Sequence, residues 1–308
     1  MRIARQSQSL RLTGPARVRV YPADDAQHKP LLSTPLTISR SGGQWIGNFA
    51  GPGIASKSVI VIEPVGPAPL LLDGQPYPGS LRLVPRNILP DSPGDFDRFD
   101  LVNHVRMEEY LPGVLDRELY DHWEPAVYLA QAISARTYAI NRCMNDGPGR
   151  HYDLESTQAS QAYSGKTVHA LALRSVADTV GLVLAYNGRI IPAFYSSTCG
   201  GAAQSAADAF NIVAPPPLVP REPCTWCGTS KYAQWGPITR DRADLSRRIA
   251  AWGKAQGNHF AQFGLLTAAR TLRSNSLGRP TAFELTDDRG QKYTLSAEGF
   301  RNAANHTA

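Results

Sequence analysis

This chain of 308 residues has few cysteines, no long apolar run and no dense block of basic residues. Four cysteines are too few for a disulfide scaffold. Because no run of about 18 apolar residues occurs, the sequence offers no candidate membrane span. Lys and Arg (32) outnumber Asp and Glu (26) but are scattered, which favours a solvated basic surface over nucleic-acid binding. The formal charge of +6 would also suit an anionic cell envelope.

The composition is that of a globular protein, with 42% hydrophobic and 19% charged residues. Its length allows one large domain or two ordinary ones. The first residues, MRIARQSQSLRLTG, are basic but have no apolar core. We therefore expect that they do not form an intact secretory signal.

Residues 1–100 read as a β-rich N-terminal region. Short apolar or alternating runs such as PLTISR and SVIVIEP are broken by Gly and Pro. Asp73-Gly74 lies between apolar stretches and predicts a hairpin turn. No helical period persists in this region.

Residues 101–308 have a different character. Pro125 is suited to open a helix, and the Ala-rich run PAVYLAQAISARTYAINRC continues it. A second helix is predicted over Val168–Thr179, and two strands are predicted around a type I′ turn at Asn187-Gly188. Farther on, ADLSRRIAAWG predicts a short helix. Strands follow with turns at Gly278 and at 288–290, and Ser296 is the expected N-cap of a last helix.

Glu118 raises a question of its own. It ends an apolar run, YLPGVLDRE, and follows Arg117 directly. It is either a solvated surface acid or a group placed for chemistry. We treat this segment as extended, in which case consecutive side chains point in opposite directions and Arg117 faces away from Glu118.

Three stretches of this chain resemble the stage II sporulation protein D family (SpoIID/LytB domain). They are YLPGVLDRELYDHWEPAVYLAQAISARTYA, STQASQAYSG and GLVLAYNGRIIPAFYSSTCGG. The order and spacing of four separate motifs within them match the family, over roughly residues 60–304. The resemblance implies an α+β fold of two lobes: a β-rich lobe and a catalytic lobe (101–308) built around the Ala-rich helix and the Asn-Gly hairpin. A groove between them would have Glu118 on its floor.

The resemblance also implies an activity. The family's characterised enzymes are lytic transglycosylases that cut peptidoglycan strands lacking stem peptides and leave 1,6-anhydro-N-acetylmuramic acid ends. Their essential acid maps to Glu118, and the chemistry needs no cofactor. The alternative is a non-catalytic glycan-binding module that recruits or activates a cell-wall amidase. Either role requires export, so we expect an extracytoplasmic location in the cell envelope or periplasm, without a signal sequence in this chain.

One carboxylate is enough for that chemistry. Ordinary glycosidases use two, whereas here the C6 hydroxyl of the sugar attacks C1 within the same molecule. The acid must be protonated near neutral pH, which apolar surroundings favour. The local candidates to supply them are Leu115, Leu119, Tyr120 and Trp123.

Further site residues follow from the family motifs. All are candidates for substrate binding. A buried structural network is the alternative for the helix pair, and a packed loop is the alternative for the three residues of the 158–163 loop. The candidates are Gln131 and Arg136 of the Ala-rich helix, Gln158, Gln161 and Tyr163 of the loop, and Tyr195, Ser196, Ser197, Gly200, Gly201 and Asp208. Ser196 stands where the family often has His, and Gln204 and Ala207 replace two acids.

Three of the four cysteines, Cys199, Cys224 and Cys227, fall close together in the sequence. With Cys224 and Cys227 as a CxxC pair they could bind a structural zinc ion, for which His259 or Cys143 could be a fourth ligand. A disulfide from Cys199 to one of the pair and free thiols remain alternatives. Redox use of the CxxC is disfavoured, since no strand–CxxC–helix context surrounds it.

Overall fold

The computed structural model describes residues 1–14, 17–25, 27–47, 57–66, 68–146, 149–158, 160–210, 212–219, 223–234 and 236–307. Helices and antiparallel sheets occupy separate parts of the chain, which confirms the predicted α+β class. Two compact units, Met1–Phe194 and Tyr195–Ala308, divide it. The predicted change near residue 100 falls inside the first unit, because strand Phe99–His104 is paired on both sides there. No helix in the described ranges is long and apolar enough to cross a membrane.

Eleven strands build the β-rich part of the first unit. They are β1 (Arg2–Ser7), β2 (Ser9–Thr13), β3 (Arg17–Pro22), β4 (Leu31–Ser33), β5 (Leu36–Ser41), β6 (Gln44–Gly47), β7 (Ile60–Val65), β8 (Leu70–Leu72), β9 (Gln75–Tyr77), β10 (Ser80–Pro85) and β11 (Phe99–His104). They form a six-stranded sheet in the order β1-β11-β10-β7-β3-β4 and a five-stranded sheet in the order β6-β5-β2-β8-β9. Every pairing between these strands is antiparallel.

The two sheets share one apolar core. Alternate residues point inward, as in β2 and β5, where Leu10, Leu12, Leu36 and Ile38 are buried between exposed neighbours. They belong to one cluster with buried residues of β7, β10 and β11 from the other sheet. The predicted turn at Asp73-Gly74 joins β8 to β9, and both residues have positive φ, which confirms that hairpin.

The described residues of the first unit also form three α-helices: α1 (Met107–Glu118), α2 (Pro125–Asp146) and α3 (Ala170–Asp178). The predicted opening of α2 at Pro125 is confirmed. On α2 the small residues Ala132, Ala135 and Ala139 are fully buried. Because alanine side chains are small, this face of α2 allows the other helices to pack closely. Helix α3 begins two residues later than predicted, since the His169 ring accepts a hydrogen bond from Ala172 N–H and caps it.

The extended conformation predicted for the segment before Glu118 is wrong, because Glu118 is the last residue of α1. Buried residues at 110, 111, 114 and 115 follow the helical period, and acids occupy the first turn. Pro112 and Gly113 obscured that period in the sequence, since both residues disfavour helix interiors.

The Asn187-Gly188 turn is confirmed, with φ of +48° and +72°. The strands beside it are shorter than predicted. Only β12 (Ala185–Tyr186) and β13 (Arg189–Ile190) pair. Pro192 has no N–H to extend the ladder, and Leu182 and Leu184 are exposed instead of covering a sheet face.

The described residues of the second unit form a three-stranded antiparallel sheet and three α-helices. They are α4 (Ala206–Phe210), α5 (Arg242–Ala255), β14 (Leu266–Ser274), β15 (Pro280–Asp287), β16 (Lys292–Ser296) and α6 (Ala297–Asn305). Ile249, Phe260, Leu285 and Leu295 lie at the centre of its core. The predicted helix α5, the turns with positive φ at Gly278 and Gly290, and the Ser296 cap on Gly299 N–H are confirmed.

Gly113 sets how closely α1 approaches the segment 161–165. A Cβ atom on Gly113 would lie 2.0 Å from the carbonyl oxygen of Gly165 and 3.0 Å from the Tyr163 ring. Since neither the backbone carbonyl nor a buried ring can yield easily, only glycine fits there without a shift.

We expect Gly113→Ala to destabilise the protein by about 1–3 kcal/mol, because it separates α1 from the 161–165 segment. Gly94→Ala is the control, since nothing lies within 4 Å of its Cβ position and its φ is ordinary. Urea unfolding of both variants measures the effect. Equal free energies of unfolding for the two variants would contradict the close approach of α1 to the 161–165 segment.

Asp287 is a buried charge in the second unit. Its carboxylate accepts hydrogen bonds from the Arg289 guanidinium at 2.6 Å and from the backbone N–H groups of Arg289 and Gln291. Burial alone would raise its pKa, but these donors outweigh burial and lower the pKa from its ordinary value of 3.8 to about 2.

Because the folded pKa lies below the unfolded one, Asp287 stabilises the second unit above about pH 4, and this contribution is lost as pH falls towards 2. Asp287→Asn should therefore be less stable at pH 7 and lose less stability on acidification. Thermal unfolding between pH 2 and pH 7 tests this. Asp241→Asn, which keeps an N-cap acceptor at the start of α5, is the matched control.

Candidate functional site

Glu118 is a half-buried carboxylate held by one backbone hydrogen bond. Its Oε1 accepts from Ala162 N–H at 2.8 Å, and no other partner of its side chain occurs in the described ranges. Arg117 is exposed and makes no ion pair with Glu118 there. An acid at the negative, C-terminal end of a helix costs roughly 0.3–1 kcal/mol. Helix stability therefore does not explain this residue.

Apolar and aromatic side chains surround the end of α1. Leu115 is fully buried, and Leu119 and Trp123 pack against the same core. The Tyr120 ring is 53% exposed and lies 5.4 Å from the Trp123 ring and 5.8 Å from the His122 ring, centroid to centroid. This group of three rings was not predicted as a unit. Its signal in the sequence is the presence of three ring residues within positions 120–123, shortly after Glu118.

The two loop residues on either side of Ala162 are anchored internally. The fully buried Gln161 accepts from Tyr110 OH at 2.9 Å and donates to the Ala135 carbonyl at 3.2 Å. Tyr163 OH donates to the Asn103 amide oxygen at 2.9 Å, and burial raises the pKa of this phenol. These contacts fit the packed-loop alternative for both side chains. The loop contacts Glu118 through the backbone N–H of Ala162, which lies between these two residues.

Arg136 lies in a buried network, at 1% exposure. Its guanidinium donates twice to Glu108, at 2.9 and 2.7 Å, and its remaining N–H groups face Thr179 and the carbonyls of Ala132, Val176 and Leu182. All five guanidinium donors are thus used within the protein. This arrangement fits the structural alternative.

The side-chain amides of Gln131 and Gln158 are not part of such a network among the described residues. Gln131 is half-buried on α2 and Gln158 is exposed. Neither side chain has a hydrogen-bond partner among the residues that the structure describes. Both therefore retain donors and acceptors for a ligand.

The remaining candidates lie in the second unit. Ser196 and Ser197 are exposed, Tyr195 is half-buried, and Gly200 and Gly201 have φ of +64° and +93°. Asp208 accepts from Ser205 OH at 2.8 Å and donates its own N–H back to that oxygen, so it helps to start α4. Their predicted convergence on Glu118 stays a prediction.

A group of Asp116, Asp121 and His169 lies near the end of α1, with one ligand atom of each within 4.8 Å of the others. The tautomer of His169 argues against a metal there. Because its Nδ1 accepts from Ala172 N–H, the proton of the neutral ring is on Nε2, the atom that faces Asp121 at 3.5 Å. That nitrogen therefore has no lone pair for an ion.

Sulfur atoms form a second group, in the second unit. The Sγ atoms of Cys199, Cys224 and Cys227 all lie within 4.8 Å of one another, and those of Cys199 and Cys227 are 3.5 Å apart. No disulfide bond joins these cysteines in the structure. Hydrogen bonding to Cys227 raises the pKa of Cys199, and hydrogen bonds from Cys199 lower the pKa of Cys227. The predicted alternate ligands His259 and Cys143 are not members of this group.

A cleft of about 390 Å³ in the first unit lies at the opposite end of α1. Arg106, Glu109, His104 and Glu63 line it. At 1.5 Å per residue, Glu109 is about 14 Å from Glu118 along the helix. The cleft is therefore not part of the Glu118 site.

Residues 96–186 match the family model described as "Stage II sporulation protein" (SpoIID). This segment contains α1, Glu118, α2 and the 161–165 segment. Over this segment the chain matches the stage II sporulation protein D family. The resemblance drawn from the sequence motifs is confirmed over residues 96–186, a shorter range than the predicted 60–304.

Three relatives are informative about the extent of this SpoIID domain. An uncharacterised protein of Brachyspira hyodysenteriae is 31% identical over 145 residues, which is 47% of this chain and 37% of that protein. The amidase enhancer of Bacillus subtilis is 32% identical over 105 residues, 34% of this chain and 14% of its own length. Stage II sporulation protein D of Bacillus subtilis is 28% identical over 120 residues, which is 34% of this chain and 35% of that protein. The chain thus matches little more than a third of any of these relatives.

Removing the buried guanidinium of Arg136 should destabilise the SpoIID segment. We expect Arg136→Met to cost about 3 kcal/mol, because it leaves Glu108 and several carbonyls without their partner. Arg174→Met is the control, since Arg174 is 80% exposed and forms only a surface pair with Asp178. Urea unfolding compares them. If Arg136→Met kept full stability and lost only glycan binding, the structural role would be wrong.

Proposed function

We propose that this protein acts on bacterial cell-wall glycan as a lytic transglycosylase, with Glu118 as its acid and base. The observation that carries the proposal is the state of the Glu118 carboxyl group. Ala162 N–H holds one oxygen at 2.8 Å, and the other has no partner among the described residues. A general acid needs this combination of a fixed position and one available oxygen.

The reaction needs no second carboxylate. Protonated Glu118 gives its proton to the glycosidic oxygen, and the bond from that oxygen to C1 of the muramic acid breaks. The C6 hydroxyl oxygen of the same sugar bonds to C1, and its proton passes to Glu118, which restores the acid. Because the nucleophile belongs to the substrate, no water has to be activated.

Aromatic and amide groups of the first unit suit a sugar chain. The exposed Tyr120 ring and the adjacent Trp123 ring offer aromatic faces for sugar rings, and Gln131 and Gln158 offer unused amides for hydroxyl groups. By the same proposal the substrate is a strand without stem peptides, and the protein works in the cell envelope.

A second candidate is a non-catalytic glycan-binding module that stimulates a cell-wall amidase. It is favoured by the similarity to the Bacillus subtilis amidase enhancer over 105 residues. The same aromatic and amide groups would serve binding alone. The two candidates differ in whether glycan is cut.

Glu118→Gln separates them. The Gln amide oxygen can still accept from Ala162 N–H, but the side chain cannot donate a proton to a leaving group as an acid does. On amidase-treated peptidoglycan we expect wild type to make 1,6-anhydro-muramic ends and Glu118→Gln to make them at least about 100-fold more slowly. Mass spectrometry of the released glycan fragments measures this, and pull-down on the same glycan should show unchanged binding.

Glu124→Gln is the matched control, since it makes the same chemical change at an exposed position. If Glu118→Gln cut glycan at the wild-type rate, Glu118 would not be the catalytic acid. If wild type binds glycan, makes no anhydro ends and stimulates an amidase, the module is the correct candidate. Thermal unfolding of all three proteins excludes misfolding as the cause.

A further inference from the structure

Cys199, Cys224 and Cys227 come from two separate loops of the second unit. Two hydrogen bonds hold the loops together: Cys224 N–H donates to the Gly201 carbonyl at 2.8 Å, and the Thr198 side-chain hydroxyl donates to the Tyr232 carbonyl at 3.2 Å. The three thiols therefore converge through specific loop contacts and not through the short CxxC spacing alone.

The sulfur separations match metal ligation. Two sulfurs bound to one tetrahedral zinc ion at about 2.3 Å lie about 3.8 Å apart. The Cys199–Cys227 separation of 3.5 Å is close to this value, and the other separations do not exceed 4.8 Å. A zinc ion could therefore bind with small side-chain movements. A disulfide would need two of the sulfurs to approach to about 2.05 Å and would leave the third thiol unused.

The surroundings are suited to the charge of such a site. Three thiolates and one Zn²⁺ carry a net negative charge. The Arg279 guanidinium, which donates to the Cys199 carbonyl at 2.8 Å and to the Gly200 carbonyl at 3.4 Å, places a positive charge beside it. Half-buried sulfurs also keep bulk water partly away from the ion.

We propose that Cys199, Cys224 and Cys227 bind a zinc ion, with a solvent molecule as the fourth ligand. Soft thiolate ligands select zinc over magnesium or calcium. The ion joins the turn at Gly200-Gly201 to the loop of Cys224 and Cys227. It thereby fixes the segment that carries Ser196 and Ser197, independently of Glu118.

The test is the metal content of the full chain purified with a reductant that does not chelate metal. We expect about one zinc per chain by elemental mass spectrometry. Cobalt added to the metal-free protein should give a thiolate-to-cobalt charge-transfer band and the intense visible bands of a tetrahedral site. Cys224→Ser and Cys227→Ser should each weaken cobalt binding at least about tenfold.

Cys143→Ser is the matched control, because Cys143 is exposed and outside the group. It should bind cobalt like wild type. The absence of both zinc and the cobalt charge-transfer band in folded, reduced wild type would overturn the site. So would a Cys199–Cys227 disulfide, found by peptide mapping without reductant, if the reduced protein binds no cobalt. Wild type alone decides these outcomes, even if a variant fails to fold.

Discussion

The contact between α1 and the 161–165 segment is the constraint on which the candidate site depends. Tyr110 holds Gln161, the missing side chain of Gly113 admits the Gly165 carbonyl, and Glu118 accepts from Ala162 N–H. Because the side chains of Gln161 and Tyr163 are locked inside, the N–H between them has a fixed direction. The carboxylate is thus positioned by backbone, and its second oxygen has no partner among the residues that the structure describes.

The β-rich part of the first unit supplies the rigid base for this contact. Only two residues separate β11 from α1, so the sheet fixes where the helix starts. Asn103 of β11 donates to the carbonyls of Pro78 and Ser80 and accepts from Tyr163 OH. One buried amide therefore ties the sheet to the segment that positions Glu118. A loss of packing between the two sheets would reach the site through this residue.

How far the sequence could predict this arrangement depended on whether a signal was local. The Pro125 helix start and the Asn187-Gly188 turn each depend on a short stretch, and the structure agrees with both. Helix α1 was missed because Pro112 and Gly113 look like helix breakers, and the need for Gly113 is visible only beside Gly165. The partners of Arg136 are 28 to 46 residues away in sequence for all but one contact, so its network could not be read locally.

In the SpoIID segment, the hydrogen-bond partners of a polar side chain indicate its role. Side chains bonded within the protein support the fold, and side chains without such partners can contact a ligand. Arg136, Gln161 and Tyr163 match family motifs as well as Glu118 does, yet their contacts are spent on the fold. If these side chains bound a ligand, they would first have to break their hydrogen bonds within the protein, which are worth about 1 kcal/mol or more each. Glu118, Gln131 and Gln158 retain polar atoms without partners among the described residues. Amides alone would suffice for binding a glycan, and a carboxylate could also accept hydrogen bonds from its hydroxyl groups, but proton transfer requires an acid such as Glu118. The catalytic reading therefore depends on a feature that a binding module would not require.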